Sequence, residues 1–68
     1  MATMTYDPDA DALSIIFGPG PSEGEEVSPG VILHFDAENR LVEIEVVPAS
    51  KVLAPGTLEG LPLPAAAE

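Results

Sequence analysis

Sixty-eight residues with eight prolines, six glycines and no cysteine set the outer limits: one domain with a thin core, and neither a disulfide framework nor a Cys-ligated zinc to brace it. Twelve acids against Arg40 and Lys51 give a net charge of −10, which repels a phosphate backbone or an anionic bilayer at long range and argues against nucleic acid and membrane as partners. The opening Met-Ala-Thr-Met-Thr has no basic and apolar leader, and no run approaches the ~20 apolar residues needed to span a bilayer, so a soluble cytoplasmic protein is the expectation.

In chain order, Met4–Tyr6 reads as a short strand, and Asp7-Pro8-Asp9-Ala10-Asp11 has the Asp and Pro content that starts turns. A second strand follows over Ala12–Phe17. Its two-residue alternation puts Leu13, Ile15 and Phe17 on one face and Ser14 and Ile16 on the other, so both faces carry apolar surface. Gly18-Pro19-Gly20-Pro21-Ser22-Glu23-Gly24 sustains neither helix nor strand, because proline lacks a donor and glycine costs entropy, and is read as a long loop.

Val27–Phe35 is expected to form a third strand with a turn or bulge at Ser28-Pro29-Gly30, Val31, Leu33 and Phe35 pointing one way. Asp36-Ala37-Glu38-Asn39 fits a type I turn closed by Asn39 in the left-handed region. Leu41–Val47 returns as the fourth strand, with Val42, Ile44 and Val46 toward the core and Glu43 and Glu45 toward water. The two turns sit in a repeated phrase, Tyr6-Asp7-Pro8-Asp9-Ala10-Asp11-Ala12-Leu13 and Phe35-Asp36-Ala37-Glu38-Asn39-Arg40-Leu41. Pro48–Leu53 is suited to a single helical turn, proline being welcome at a helix start. Beyond it, Leu58, Leu61 and Leu63 make the Pro/Gly-rich tail too apolar for a simple linker, and some of it should dock on its own surface or a partner's.

The expected fold is therefore mainly β (α+β): a four-stranded antiparallel meander of two tandem hairpins, one short C-terminal helical turn and a Pro-rich tail, divided as residues 1–53 and 54–68. One sheet and a helical turn cannot cover two partly apolar faces. The chain is accordingly expected to form a homo-oligomer, a dimer by default, burying Leu13, Ile15, Val31, Leu33, Ile44 and Val46, with the tail free to cross between subunits.

Signals of chemistry are few. Asp7, Asp9 and Asp11 copy the opening of a calcium loop, but its sixth and twelfth positions are Ala12 and Gly18 instead of Gly and Glu, so turn capping is the better reading. His34, the single histidine, has no cysteine or recognisably spaced partner and reads as a strand residue. Ser28 and Ser50 suit a turn and a helix start, where hydroxyls bond nearby backbone. Gly18-Pro19-Gly20 is no phosphate cradle, since prolines remove the donors such a cradle needs and no lysine follows. No catalytic residue, cofactor or metal is expected. The candidates for a site, in a cleft between two subunits, are His34, Glu43 and Glu45.

The ordered phrases Tyr-Asp-Pro-Asp-Ala-Asp-Ala-Leu-Ser-Ile (6–15), Glu-Glu-Val-Ser-Pro-Gly-Val-Ile-Leu-His-Phe-Asp (25–36), Arg-Leu-Val-Glu-Ile-Glu-Val (40–46) and Ala-Ser-Lys (49–51) resemble the bacterial domain of unknown function 2283 family, over about Thr5 to Leu53. The resemblance implies a small antiparallel sheet ending in a short helix, with no established activity or cofactor and no catalytic residues to transfer. Members are sometimes encoded beside small toxin-like proteins, which implies an antitoxin-like role. Asn39 stands where glycine is common, Pro48 where an acid is common, and the Pro-rich tail lies outside the pattern. Charge and resemblance together give the functional expectation: a protein-binding module for a basic partner protein, the alternative being a small-molecule or enzymatic subunit with its site at the homodimer cleft.

Overall fold

The computed structural model describes residues 2–63, which form one five-stranded antiparallel sheet followed by two short helices. The strands are β1 Thr3–Asp7, β2 Ala12–Ile16, β3 Glu23–Ser28, β4 Val31–Phe35 and β5 Leu41–Val46; the helices are α1 Ala49–Val52 and α2 Thr57–Gly60. The expected strands and helical turn are all present to within a residue or two, with one correction. Val27–Phe35 is not a single strand. Pro29-Gly30 folds it back on itself, Gly30 holding a φ of 83° that an L side chain rarely adopts, and pairs Ser28 with Val31. The acid-rich segment before that turn becomes a fifth strand, wholly exposed and hydrogen-bonded on one side only, so it needs no apolar alternation to persist.

The strand order is β1-β2-β5-β4-β3, a Greek key and not the expected meander. Phe17 to Ser22 carries the chain from β2 past the end of β5 and β4 to the far edge. Six residues can reach about 20 Å, whereas three strand spacings need only about 14 Å. The Phe17 N–H donates to the Val42 carbonyl at 2.7 Å and that of Gly18 at 3.4 Å, and Val42 is buried beneath this crossing. The reason for the order lies in composition. β5 has the cleanest apolar alternation in the chain and takes the centre, between β2 with Leu13 and Ile15 and β4 with Val31 and Leu33. The polar strands β1 and β3 take the edges.

Cross-strand partners share a face. Leu13, Val46 and Val31 stand in one row and Ile15, Ile44 and Leu33 in the next, which makes one face apolar. Ser14, Glu45 and Ile32 form a row of the opposite face, and Ile16, Glu43 and His34 the row beside it. The apolar face is covered in part by the chain's own C-terminal segment. Leu13, Val46 and Ala49 are the buried centre, and Val52, Leu53, Leu58, Leu61 and Leu63 pack against it with Met4, Tyr6 and Ile44. The tail leucines thus dock on their own sheet, and α2, which has no strong signal of its own, starts after Gly56 at φ 86°. Residues 64–68 of the tail lie outside the described residues.

The repeated phrase folds twice in related ways. Asp7 accepts the Asp9 N–H at 3.0 Å, and Asp36 accepts that of Glu38 at 3.0 Å. Each turn then closes on a left-handed residue, Asp11 at φ 54° and Asn39 at 66°. Asp36 also accepts the Arg40 N–H and its guanidinium.

Candidate functional site

His34, Glu43 and Glu45 come together on the polar face. In β4 the side chain of His34 alternates with Leu33 and Phe35, and in β5 Glu43 and Glu45 alternate with Ile44, so the strand period alone turns all three away from the apolar face. Register does the rest. His34 is directly opposite Glu43, and Glu45 is one pleat further on the same strand. One ligand atom from each lies within 4.8 Å of the other two.

The imidazole is held at both nitrogens. Nε2 lies 3.1 Å from Glu45 Oε1, and Nδ1 lies 3.5 Å from Ser22 Oγ at the end of the crossing loop. The side chains of His34 and Glu45 keep 20% and 33% of their surface exposed, which leaves the pair reachable from solvent. Gly24, the partner of His34 in β3, makes room for the ring: a Cβ there would stand 2.9 Å from His34 Cε1 and 3.0 Å from Ile32 Cγ2. Ser22 and Gly24 belong to the site, and both lie in the stretch read from sequence as an irregular loop. Only the β3–β4 pairing places them there. A face bearing one imidazole and two carboxylates can share a proton between them or hold a cation.

Asp11 and Asp36 have structural work. The Asp11 carboxylate accepts the Tyr6 hydroxyl at 2.7 Å, the Ser50 N–H and the Ser50 hydroxyl. The Ser50 bond first and the Tyr6 bond second hold Asp11 below the usual carboxylate range, and the same contact with Asp11 raises the Tyr6 phenol. The Arg40 backbone N–H, with its guanidinium, likewise holds Asp36 low. The carboxylates of Asp7 and Asp11 are therefore spent on the β1–β2 turn and on α1, while Asp9 gives that turn its backbone N–H.

A second feature is the edge strand β3. Glu23, Glu25 and Glu26 are exposed along it, and a groove beside it is lined by Pro21, Glu23, Glu25, Phe35, Asp36 and Asn39. Of the two cations, Arg40 is paired with Asp36, which lines this groove, and with Glu38 in the β4–β5 turn, and Lys51 is on α1. No helix among the described residues is long and apolar enough to cross a membrane.

A family model described as a protein of unknown function (DUF2283) matches residues 3–50, which span all five strands and the start of α1, and the chain belongs to that family. No curated protein and no solved structure matches it.

Proposed function

We propose that this member of the DUF2283 family is a protein-binding module whose β3 edge takes an extended, basic segment of a partner protein. The observation that carries the reading is the β3 edge itself: six consecutive exposed residues, one row of backbone groups that pairs with no other strand among the described residues, and three glutamates. Strand addition uses such an edge, main-chain bonds supplying affinity and flanking pockets supplying selectivity. The groove beside β3 offers Phe35 and the carboxylates of Glu23 and Glu25, a setting for a lysine or arginine side chain. Pairing β3 with another copy of itself would set glutamates against glutamates, so these acids work against self-pairing while favouring a cationic strand. The antitoxin-like form of this reading has a small basic toxin as the partner.

Amide chemical-shift mapping with an arginine- and lysine-rich extended peptide tests it. Perturbation centred on residues 23–28, weakened by salt and by the double change Glu23→Lys and Glu25→Lys, is the expected result. Shifts spread evenly over the acidic surface, or indifference to that double change, count against it.

The meeting of His34, Glu43 and Glu45 favours a second reading, a small-molecule site on the open polar face, opposite the apolar rows of Val31, Leu33 and Ile44. Screening for a ligand whose binding protects the His34 ring tests this reading. Ligands that bind a His34→Ala variant equally well would remove its support.

A further inference from the structure

The linear sequence has no metal-binding spacing: one histidine, no cysteine, and candidate ligands nine and eleven residues apart along the chain. Antiparallel pairing brings together what chain order separates, because His34 in β4 faces Glu43 in β5 and Glu45 follows on the same side. We propose that His34 Nε2 and the carboxylates of Glu43 and Glu45 bind one divalent first-row transition ion, of which Zn2+ is the representative. The proposal is independent of the protein-binding reading, which uses the other edge of β3 and none of these three side chains.

The donor set decides the class of ion. An imidazole with two carboxylates suits zinc and its neighbours in the row, whereas Mg2+ and Ca2+ favour all-oxygen shells and Cu+ favours sulfur. The distances agree. Bonds of about 2.1 Å from metal to nitrogen and oxygen place two ligand atoms roughly 3.0–3.5 Å apart. His34 Nε2 and Glu45 Oε1 already stand at 3.1 Å. Glu43 has only to turn a flexible side chain inward from within the 4.8 Å limit.

The surroundings agree independently. Metal-bound histidine ordinarily gives its second ring nitrogen a polar partner that fixes the ring, and Ser22 Oγ stands 3.5 Å from Nδ1. Gly24 leaves the space in which the ring lies. A net charge of −10 concentrates cations at the surface. Without an ion, Nε2 and Glu45 satisfy each other. The ion replaces that single hydrogen bond by a bond to each and draws in the Glu43 carboxylate. Three protein ligands leave further coordination positions for water or a small anionic ligand, as in an open site.

The test uses the full chain, stripped with a chelator and titrated with Zn2+ in a calorimeter, with Co2+ as the spectroscopic probe. One site per chain, movement of the His34 ring resonances, and no displacement by a hundredfold excess of Mg2+ or Ca2+ are expected. Glu43→Gln should weaken Zn2+ binding about tenfold or more, the order seen when metal-site partners are lost. Glu59→Gln, on α2, should not. Among the described residues no side chain donates a hydrogen bond to the Glu43 carboxylate, so this variant keeps the fold even if His34→Gln does not, and circular dichroism checks it. Several weak sites that Glu43→Gln leaves unchanged, His34 resonances that stay in place, or equal displacement by Mg2+ would overturn the proposal.

Discussion

Asp11 and Ser50 are 39 residues apart in the chain, and the Asp11 carboxylate accepts both the backbone N–H of Ser50 and its hydroxyl. The Asp11 carbonyl accepts the Ala49 N–H at 2.7 Å as well. One residue of the β1–β2 turn therefore supplies acceptors for the first turn of α1, where Pro48 at the cap makes no side-chain bond of its own. Asn tolerates the left-handed φ of Asp11, so Asp11→Asn removes charge without backbone strain.

The folded state lowers the Asp11 pKa. Its contribution is then fully present above the unfolded carboxylate value of about 4 and is lost as pH falls through the lower folded value. Wild type should lose stability as acid is added in that range. Asp11→Asn should be less stable at neutral pH and lose less on acidification, read from urea unfolding at several pH values. Equal pH slopes for the two proteins would show that the carboxylate does not hold α1.

Asn39, at φ 66°, closes the β4–β5 turn. Asn39→Gly should be neutral or stabilising, since glycine enters the left-handed region without a Cβ penalty, and Asn39→Val should cost about 1–2 kcal/mol. Matching unfolding midpoints for the two variants would contradict the assignment.

Asn39 also marks what the sequence makes legible. A turn needing a left-handed residue announces itself through Asp and Asn, and β5 announces itself through Val-Glu-Ile-Glu-Val, because both signals are local. The convergence of His34, Glu43 and Glu45 was half legible: alternation puts each on a face, but only register says that the faces coincide. β3 was not legible. Glu-Gly-Glu-Glu-Val-Ser carries no apolar period, since an edge strand with both faces exposed has nothing to bury. The sheet order is not legible for the same reason, because without β3 the long loop after β2 leads straight to β4 and makes the two look like neighbours. Asp11 as the anchor of α1 depends on a contact spanning 39 residues, for which no local signal exists.

Gly30 is needed twice over. Its φ is 83°, and a Cβ there would lie 2.5 Å from Val52 Cγ2 and 2.9 Å from the Val47 carbonyl oxygen. Gly30→Ala should cost more than the roughly 1–2 kcal/mol of left-handed strain alone. Gly20→Ala, with φ 101° and open space around it, isolates the backbone part. Similar losses for the two in denaturant unfolding would mean that α1 moves aside freely.

The C-terminal segment supplies part of the second layer that the apolar face needs, yet Val31, Leu33 and Ile44 remain only half-buried. A homodimer that covers them is the expected species at micromolar concentration, seen as twice the chain mass by light scattering over a dilution series. Leu33→Asp should abolish the dimer and destabilise the fold, since it sets a charge among apolar neighbours. A folded monomer of the wild-type chain across that series sinks the dimer whatever the variant does.

Gly24 tests whether the position of the His34 ring is built into the sheet. Its backbone needs no positive φ, so alanine brings no conformational strain, and what matters is the Cβ at 2.9 Å from His34 Cε1 and 3.0 Å from Ile32 Cγ2. Gly18→Ala is the matched comparison, because its nearest contact would be an ordinary 3.6 Å to Val42 Cγ1. Overpacking of this kind costs about 1–3 kcal/mol where neighbours are held, and less where a side chain can swing away. His34 is tied to Glu45 at one nitrogen and stands near Ser22 at the other, so the ring should be displaced at a cost. Gly24→Ala should lower stability by about 1–2 kcal/mol and shift the His34 ring resonances, whereas Gly18→Ala should do neither. Unchanged ring resonances in Gly24→Ala would show that the ring does not rest over Gly24.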